Sequence, residues 1–304
     1  MKLTVSTSTA FEKLGIDSGL RAIREAGFKG INLDPDALFP QKDTMDEEYL
    51  AYLMNEKRIH STINPIKEGV RKYGLAIDQI HAPTAYVARK PRETDIMRQS
   101  ISRCIELCEE LSCPNIVIHP ICDGSARYPS LSKEDEYRLN IQYFSSILPL
   151  LKKYHVICCI ENAYCLDWGT KKAYTSACSD MKEANRYIDE LNAIAGEKCF
   201  AFCMDIGHLL ILGIDPCRAM EKVGERLAVL HIHDNGGYLD DHTAPFLGVY
   251  NWDRFIKGLR TIGYHGNINC ETGCLIDLFP KELTADALRL LAATANYFRE
   301  KIFK

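Results

Sequence analysis

No stretch of the 304 residues approaches the roughly 18 consecutive apolar residues that a membrane-spanning helix needs. The opening MKLTVSTSTAFEKLG lacks the apolar core of a secretory leader. A cytoplasmic protein that neither spans nor inserts into a membrane is therefore expected. There is no excess of positive charge: 37 Lys and Arg stand against 41 Asp and Glu, a formal net charge of −4. Without a broad basic field, a partner held through its phosphate backbone has only local patches to use, which makes nucleic acid an unfavoured partner. No C-x-x-C occurs among the 13 cysteines, and an odd number cannot all pair within one chain. Disulfide frameworks belong to short secreted chains, so these thiols are expected to be reduced and to serve mainly as small buried apolar groups. Linkers, low-complexity tracts and charge blocks are also missing, so one domain over residues 1–304 is expected.

What the sequence does have is a repeated unit: a short β-branched run, a polar loop, then an amphipathic helix. Eight strands are predicted at Leu3–Ser6, Gly30–Leu33, Ile77–His81, Asn115–His119, Val156–Glu161, Ala201–Asp205, Val229–His233 and Asn267–Glu271. Helices are predicted near 17–27, 46–73 with a break around Asn64-Pro65, 93–112, 132–154, 180–195, 215–226, 251–262 and 283–302. Asp17, Ser132, Asp180 and Asp215 stand at N-cap positions, and Gly27, Gly74 and Gly263 where helices end. Strict alternation demands parallel strands with right-handed crossovers, and eight units suit closure into a (β/α)8 TIM barrel. The doubly wound alternative would carry a Gly-rich phosphate turn after its first strand, where this chain reads STSTAFEKLG.

Six of the eight strands finish in a side chain able to hold a metal: His81, His119, Glu161, Asp205, His231 and Glu271. A barrel gathers these carboxyl ends on one rim. Each acid alone reads equally well as a helix cap or salt-bridge partner. Crowded together, however, carboxylates and imidazoles cost heavy desolvation and repulsion unless a cation neutralises them. After the sixth strand, Asp205-Ile206-Gly207-His208 allows a tight turn that returns His208 to the rim. His231 and His233 share one strand face, so His233 either joins His231 or satisfies a backbone group, and His231 is the ligand expected there. The loops at 162–179 and 234–250 are the long ones, and in a barrel they lie over the catalytic face. The second contains Asp240-Asp241-His242, which reads either as a solvated loop or as further ligands. Tyr164, Trp168, Tyr174, Tyr238, Phe246 and Tyr250 on these loops could stack on a sugar or pack the loops down.

The segments Ile77–Pro83, Val117–Pro120, Ile160–Asn162, Asp205–His208, His231–Asn235 with Asp240-x-His242, Asn251-Trp252 and Cys270–Thr272 resemble the xylose isomerase-like TIM barrel superfamily. That group includes sugar isomerases and epimerases, inosose dehydratases and endonuclease IV. Resemblance to its ketose 3-epimerase branch implies that Glu161, Asp205, His231 and Glu271 hold one Mn²⁺, Mg²⁺ or Co²⁺ ion; with the zinc-using members of the group taken in, the cofactor expected is a divalent ion, Mn²⁺ or Zn²⁺, with Mg²⁺ or Co²⁺ as alternatives. It implies too that His208 contacts substrate, and that Glu161 and Glu271 are catalytic, exchanging a proton with the carbon beside the carbonyl. The chain departs from that branch at Gly237, where a substrate-gripping arginine is expected.

Resemblance to endonuclease IV implies instead a three-Zn²⁺ site from His81, His119, Glu161, Asp205, His208, His231, Asp240, His242 and Glu271. A nuclease needs cationic loops, yet residues 234–250 contain no Lys or Arg and residues 162–179 supply only Lys171 and Lys172. The expectation is thus a metal-dependent isomerase or epimerase of a small sugar or polyol, with a homo-oligomer compatible with the fold. The alternatives are an abasic-site phosphodiesterase, a cyclitol or keto-sugar dehydratase, and a metal-binding barrel without catalysis.

Overall fold

The computed structural model describes residues 1–34, 47–83, 91–122, 131–167 and 169–303. Eight parallel strands form one sheet: β1 (Leu3–Ser6), β2 (Gly30–Leu33), β3 (Ala76–His81), β4 (Asn115–Ile118), β5 (Ile157–Glu161), β8 (Phe200–Asp205), β9 (Leu227–His231) and β10 (Ile268–Cys270). The spatial order is β10-β1-β2-β3-β4-β5-β8-β9. A parallel bridge between Ile232 and Cys270, with Ile232 N donating to Asn269 O at 2.9 Å, joins the two ends and closes the barrel.

Alternation along each strand separates two cores. Ile116, Cys158, Ile160, Phe200, Phe202, Met204 and Leu230 face outward into the apolar layer beneath the helices. Val117, Cys159, Ala201, Cys203 and Val229 face inward and make a separate cluster. Small side chains are what a narrow eight-stranded lumen can hold. The period of two then carries the site: two residues beyond Val117, Cys159, Cys203 and Val229 stand His119, Glu161, Asp205 and His231, on the same inner face.

The helices follow the sequence reading closely, with two corrections. The break expected around Asn64-Pro65 falls instead between Glu47–Leu53 and Glu56–Tyr73, and Pro65 lies inside the second helix. Asn55 decides this, because its side chain accepts from the Arg58 N–H at 3.1 Å and starts a new helix. Asp17 is not an N-cap: the helix Ile16–Ala26 starts after Gly15, and Asp17 lies in its first turn, bonded to Lys72 and Tyr73. Ser132, Asp180 and Asp215 do cap their helices. Gly27, Gly74 and Gly263 have positive φ.

Short elements were not foreseen. Ser8–Leu14, Ile206–Ile211 and Gly273–Asp277 are helices on the rim, and Tyr164–Asp167 pairs antiparallel with Lys172–Thr175 as a hairpin (β6 and β7) within the fifth loop. None of the 13 cysteines is in a disulfide, and ten of them are buried. Among the described residues no helix is long and apolar enough to cross a membrane.

Candidate metal centre

Inward-facing positions of β3, β4, β5, β8, β9 and β10 converge at the carboxyl end of the barrel. His231 is fully buried, and its Nδ1 lies 2.9 Å from Glu161 Oε1, 3.0 Å from Glu271 Oε2 and 3.9 Å from Asp205 Oδ2. One oxygen or nitrogen from each of Glu161, Asp205, His231 and Glu271 falls within 4.8 Å of all the others. The other Glu161 oxygen, Oε2, faces His119 Nε2 at 2.8 Å and His81 Nε2 at 3.1 Å, making a second group. A third lies under the seventh loop, where Asp240 Oδ2 is 3.1 Å from His208 Nε2 and 3.2 Å from His242 Nε2. All nine residues singled out in the sequence are thus assembled.

Three of the histidines are held alike. His81 donates through Nδ1 to Ala82 O at 2.7 Å, His208 to Asn162 O at 2.8 Å and His242 to Glu271 O at 3.0 Å. With Nδ1 carrying the proton, each Nε2 turns a lone pair toward a carboxylate oxygen. Two lone pairs at about 3 Å repel, so each contact requires either a second proton on the ring or a cation between the partners.

Electrostatics follows. Burial pushes the His208 imidazole down, but Asp205 and Asp240 outweigh it and hold it well above the usual histidine range. Burial likewise opposes His242, and Asp240 overrides it, taking His242 to about 10. His231 is raised against its burial by Cys203, Glu271 and Glu161. Burial lifts the carboxyls of Glu161, Glu271 and Asp240, yet neighbouring imidazoles hold all three below the carboxylate range. Without metal, protons on the imidazoles balance the charge.

Several residues without an assigned role in the sequence reading build the frame. Asn162 accepts from Asp205 N–H at 2.8 Å and donates to Asp205 O at 3.0 Å, tying the β5 and β8 ends together. His233 is not among the groups around His231. Its Nε2 lies 3.0 and 2.9 Å from the two Asp205 oxygens, and its ring stacks on His242 at 3.9 Å. Gly207 is required there, because a Cβ would enter the His233 ring. Asp34 follows β2, and its carboxylate accepts from the Thr7 and Ser8 N–H groups, each at 3.1 Å. Burial and the charge of Glu271 raise Asp34 to about 6, against the Ser8 N–H. Its signal was an acid just past a strand end, within Asn32-Leu33-Asp34.

The loop aromatics divide. Tyr164 meets the His208 ring edge at 5.0 Å and points its hydroxyl toward Asp240. Phe246 and Tyr250 pack on Trp252, whose Nε1–H donates to the buried Asp234 at 2.7 Å. Tyr238 stands 79% exposed, and Trp168 lies outside the described residues.

The fold and rim define a class: the chain belongs to the xylose isomerase-like TIM barrel family, whose profile matches residues 20–294. Within that class it is 27% identical over 282 residues to the uncharacterized protein y4fM of Sinorhizobium fredii, covering 85% of this chain and 81% of that one. Among solved structures it superposes on a D-tagatose 3-epimerase-like protein with a TM-score of 0.67 at 22% identity, covering 97% and 99% of the two chains. It superposes equally on an AP endonuclease, family 2, from Brucella melitensis, with a TM-score of 0.66 at 18% identity and coverage of 97% and 100%. Likeness at this level establishes the shared barrel and no more.

Proposed function

We propose that the protein is a divalent-metal-dependent isomerase or epimerase acting on a small sugar or polyol. The observation that carries this is the convergence of Glu161, Asp205 and Glu271 on His231 Nδ1. Three carboxylates and one imidazole make a donor set suited to Mn²⁺ or Zn²⁺, with Mg²⁺ or Co²⁺ as alternatives. Such an ion, when bound, supplies Lewis-acid polarisation of a carbonyl and its neighbouring hydroxyl. Everything else falls to side chains. Glu271, 16% exposed against 1% for Glu161, is the carboxylate best able to meet a substrate carbon. It takes the proton as the C–H bond beside the carbonyl breaks and the electron pair passes to the carbonyl oxygen; in an isomerisation it returns that proton to the adjacent carbon, and in an epimerisation Glu161 delivers a proton to the opposite face. Glu161, walled by His81 and His119, has less access but a charge that the same groups can modulate. His208 and Tyr164 present polar atoms at the mouth for substrate hydroxyls.

Incubation of metal-loaded protein with a panel of ketoses and cyclitols in D₂O tests the reading. Carbon-bound deuterium should appear in one class of substrate and vanish with Glu271→Gln. Absence of exchange across the panel, or full exchange in the variant, would refute it.

A second reading has its own observation, the paired groups around Glu161 Oε2 and Asp240 Oδ2, which suit a multi-zinc phosphodiesterase. The acidic seventh loop weighs against a DNA substrate. Two or three Zn²⁺ per chain, with chelator-sensitive nicking of an abasic duplex, would favour it over the sugar reading.

A further inference from the structure

Beneath the metal centre, the lumen is apolar on one side and polar on the other. Val117, Cys159, Ala201, Cys203 and Val229 line the first, while Asn32 and Gln79, paired in the β2–β3 register, belong to the second. Both amides are fully buried. Gln79 Nε2 lies 2.8 Å from His231 Nε2, the ring nitrogen facing away from the three carboxylates. Gln79 Oε1 and Asn32 Oδ1 have no hydrogen-bond partner. Two bare acceptors on adjacent buried residues are costly, because each has given up its water without gaining a donor.

One rearrangement removes the first fault. If the Gln79 amide is turned over, Oε1 takes the place 2.8 Å from the ring nitrogen and accepts from His231 Nε2–H. Asn32 already donates through Nδ2 to Ser6 Oγ at 3.3 Å and Asp34 Oδ1 at 3.2 Å. The orientation also agrees with what a cation demands. A ligating Nδ1 must be a bare lone pair, so a neutral His231 must carry its proton on Nε2, and Nε2–H needs an acceptor.

Resting on the metal reading above, we infer that Gln79 is a positioning residue that fixes the His231 tautomer. It does so from the strand position paired with Asn32, which itself donates to Asp34. Gln79 touches neither substrate nor cation and acts through His231 alone. A buried water donating to both bare carbonyls is the competing arrangement. It would leave Nε2 as acceptor for the Gln79 N–H and Nδ1 protonated, the tautomer that cannot bind.

The test uses the full chain and Zn²⁺. By chelator competition, Gln79→Met, which offers no acceptor, should bind about 10–100-fold more weakly than wild type. Gln79→Glu, which keeps an acceptor at the ring, should stay within about threefold, even at some cost in unfolding temperature. In ¹⁵N-histidine-labelled, Zn²⁺-loaded wild type, the His231 signal, assigned by its loss in His231→Asn, should show a proton on Nε2 and none on Nδ1. Equal affinities for all three proteins, equal losses in both variants, or a protonated Nδ1 would overturn the inference. Should Gln79→Met fail to fold, the NMR result and Gln79→Glu decide. Wild type that takes up no Zn²⁺ would instead remove the metal reading itself.

Discussion

Replacing Glu161 by Gln separates the charge network from the fold that carries it. Glu161 is buried, with His231 Nδ1 at 2.9 Å on one oxygen and His119 and His81 Nε2 atoms at 2.8 and 3.1 Å on the other. A glutamine of the same shape meets these neighbours well without any cation. Its Oε1 accepts from His231, and one of its N–H groups donates to the lone pair of His81, which no longer needs a second proton, while the other faces His119 Nε2. The metal-free variant should therefore unfold within about 2 °C of the wild type, or slightly higher, since the swap leaves no buried group unpaired. Its response to metal should collapse. For a chain of 304 residues the unfolding entropy is about 0.6 kcal/mol per degree near the midpoint. A ligand at about 100 times its Kd stabilises by about 2.7 kcal/mol, which corresponds to a shift of about 4 °C. If the substitution weakens the site about a hundredfold, the same metal concentration leaves about 0.4 kcal/mol, under one degree. Thermal scans with Mn²⁺ or Zn²⁺ against chelator read both quantities. A full shift in the variant would exclude Glu161 from the cation site. A metal-free midpoint lowered by 8 °C or more would show that the carboxylate is needed for the fold in its own right.

Two further outcomes follow from the same geometry. His81, His208, His231 and His242 have folded pKa values raised above those of the unfolded chain, so their protonation stabilises the metal-free fold below about pH 6.5, and this is lost as pH rises toward about 10 for His242. Since a cation competes with those protons, the metal-induced rise in midpoint should grow between pH 6.5 and 8.5, and a constant or shrinking rise would contradict the charge balance described. Gly207→Ala should cost about 1–3 kcal/mol by driving its methyl into the His233 ring, and should weaken metal binding as Asp205 loses that partner. Unchanged calorimetric affinity together with an unchanged midpoint would show that the ring has room to move.

How much of this was legible in the sequence depends on whether a residue's role is set by strand period or by contacts that cross the barrel. The strands were readable because parallel barrel strands are short apolar runs, and their final residues were readable because closure puts every strand end on one rim. That logic gives six of the nine residues, His81, His119, Glu161, Asp205, His231 and Glu271; His208 comes from the turn after Asp205, and Asp240 and His242 only from the family resemblance, since the loop alone reads equally well as solvated. It could not separate His231 from His233, since both share a strand face. Only the structure turns His231 toward Glu161 and Glu271, and His233 toward Asp205. Gln79, Asn32 and Asp34 stayed hidden for another reason. An uncharged amide one turn of the pleat below the rim looks like any strand residue until the partner across the lumen is known. Asp34 follows a strand that ends in leucine. The helix break is misread because Asn64-Pro65 is a stronger local signal than Asn55, yet the helix runs on through Pro65, losing the N–H bond to Ser61 O, with its apolar face at Ile59, Ile63 and Ile66 buried on both sides of the proline. In each miss, tertiary partners decided between local options that the chain left nearly balanced. The same reasoning puts the remaining chemical question on the lumen. The nine candidate residues alone do not distinguish a sugar-active site from a nuclease, so the choice rests on how many of the three groups take a cation under working conditions. Charge balance gives the group around His231 first claim, because three carboxylates face a single ring nitrogen there, whereas His81 and His119 share one oxygen of a glutamate already engaged.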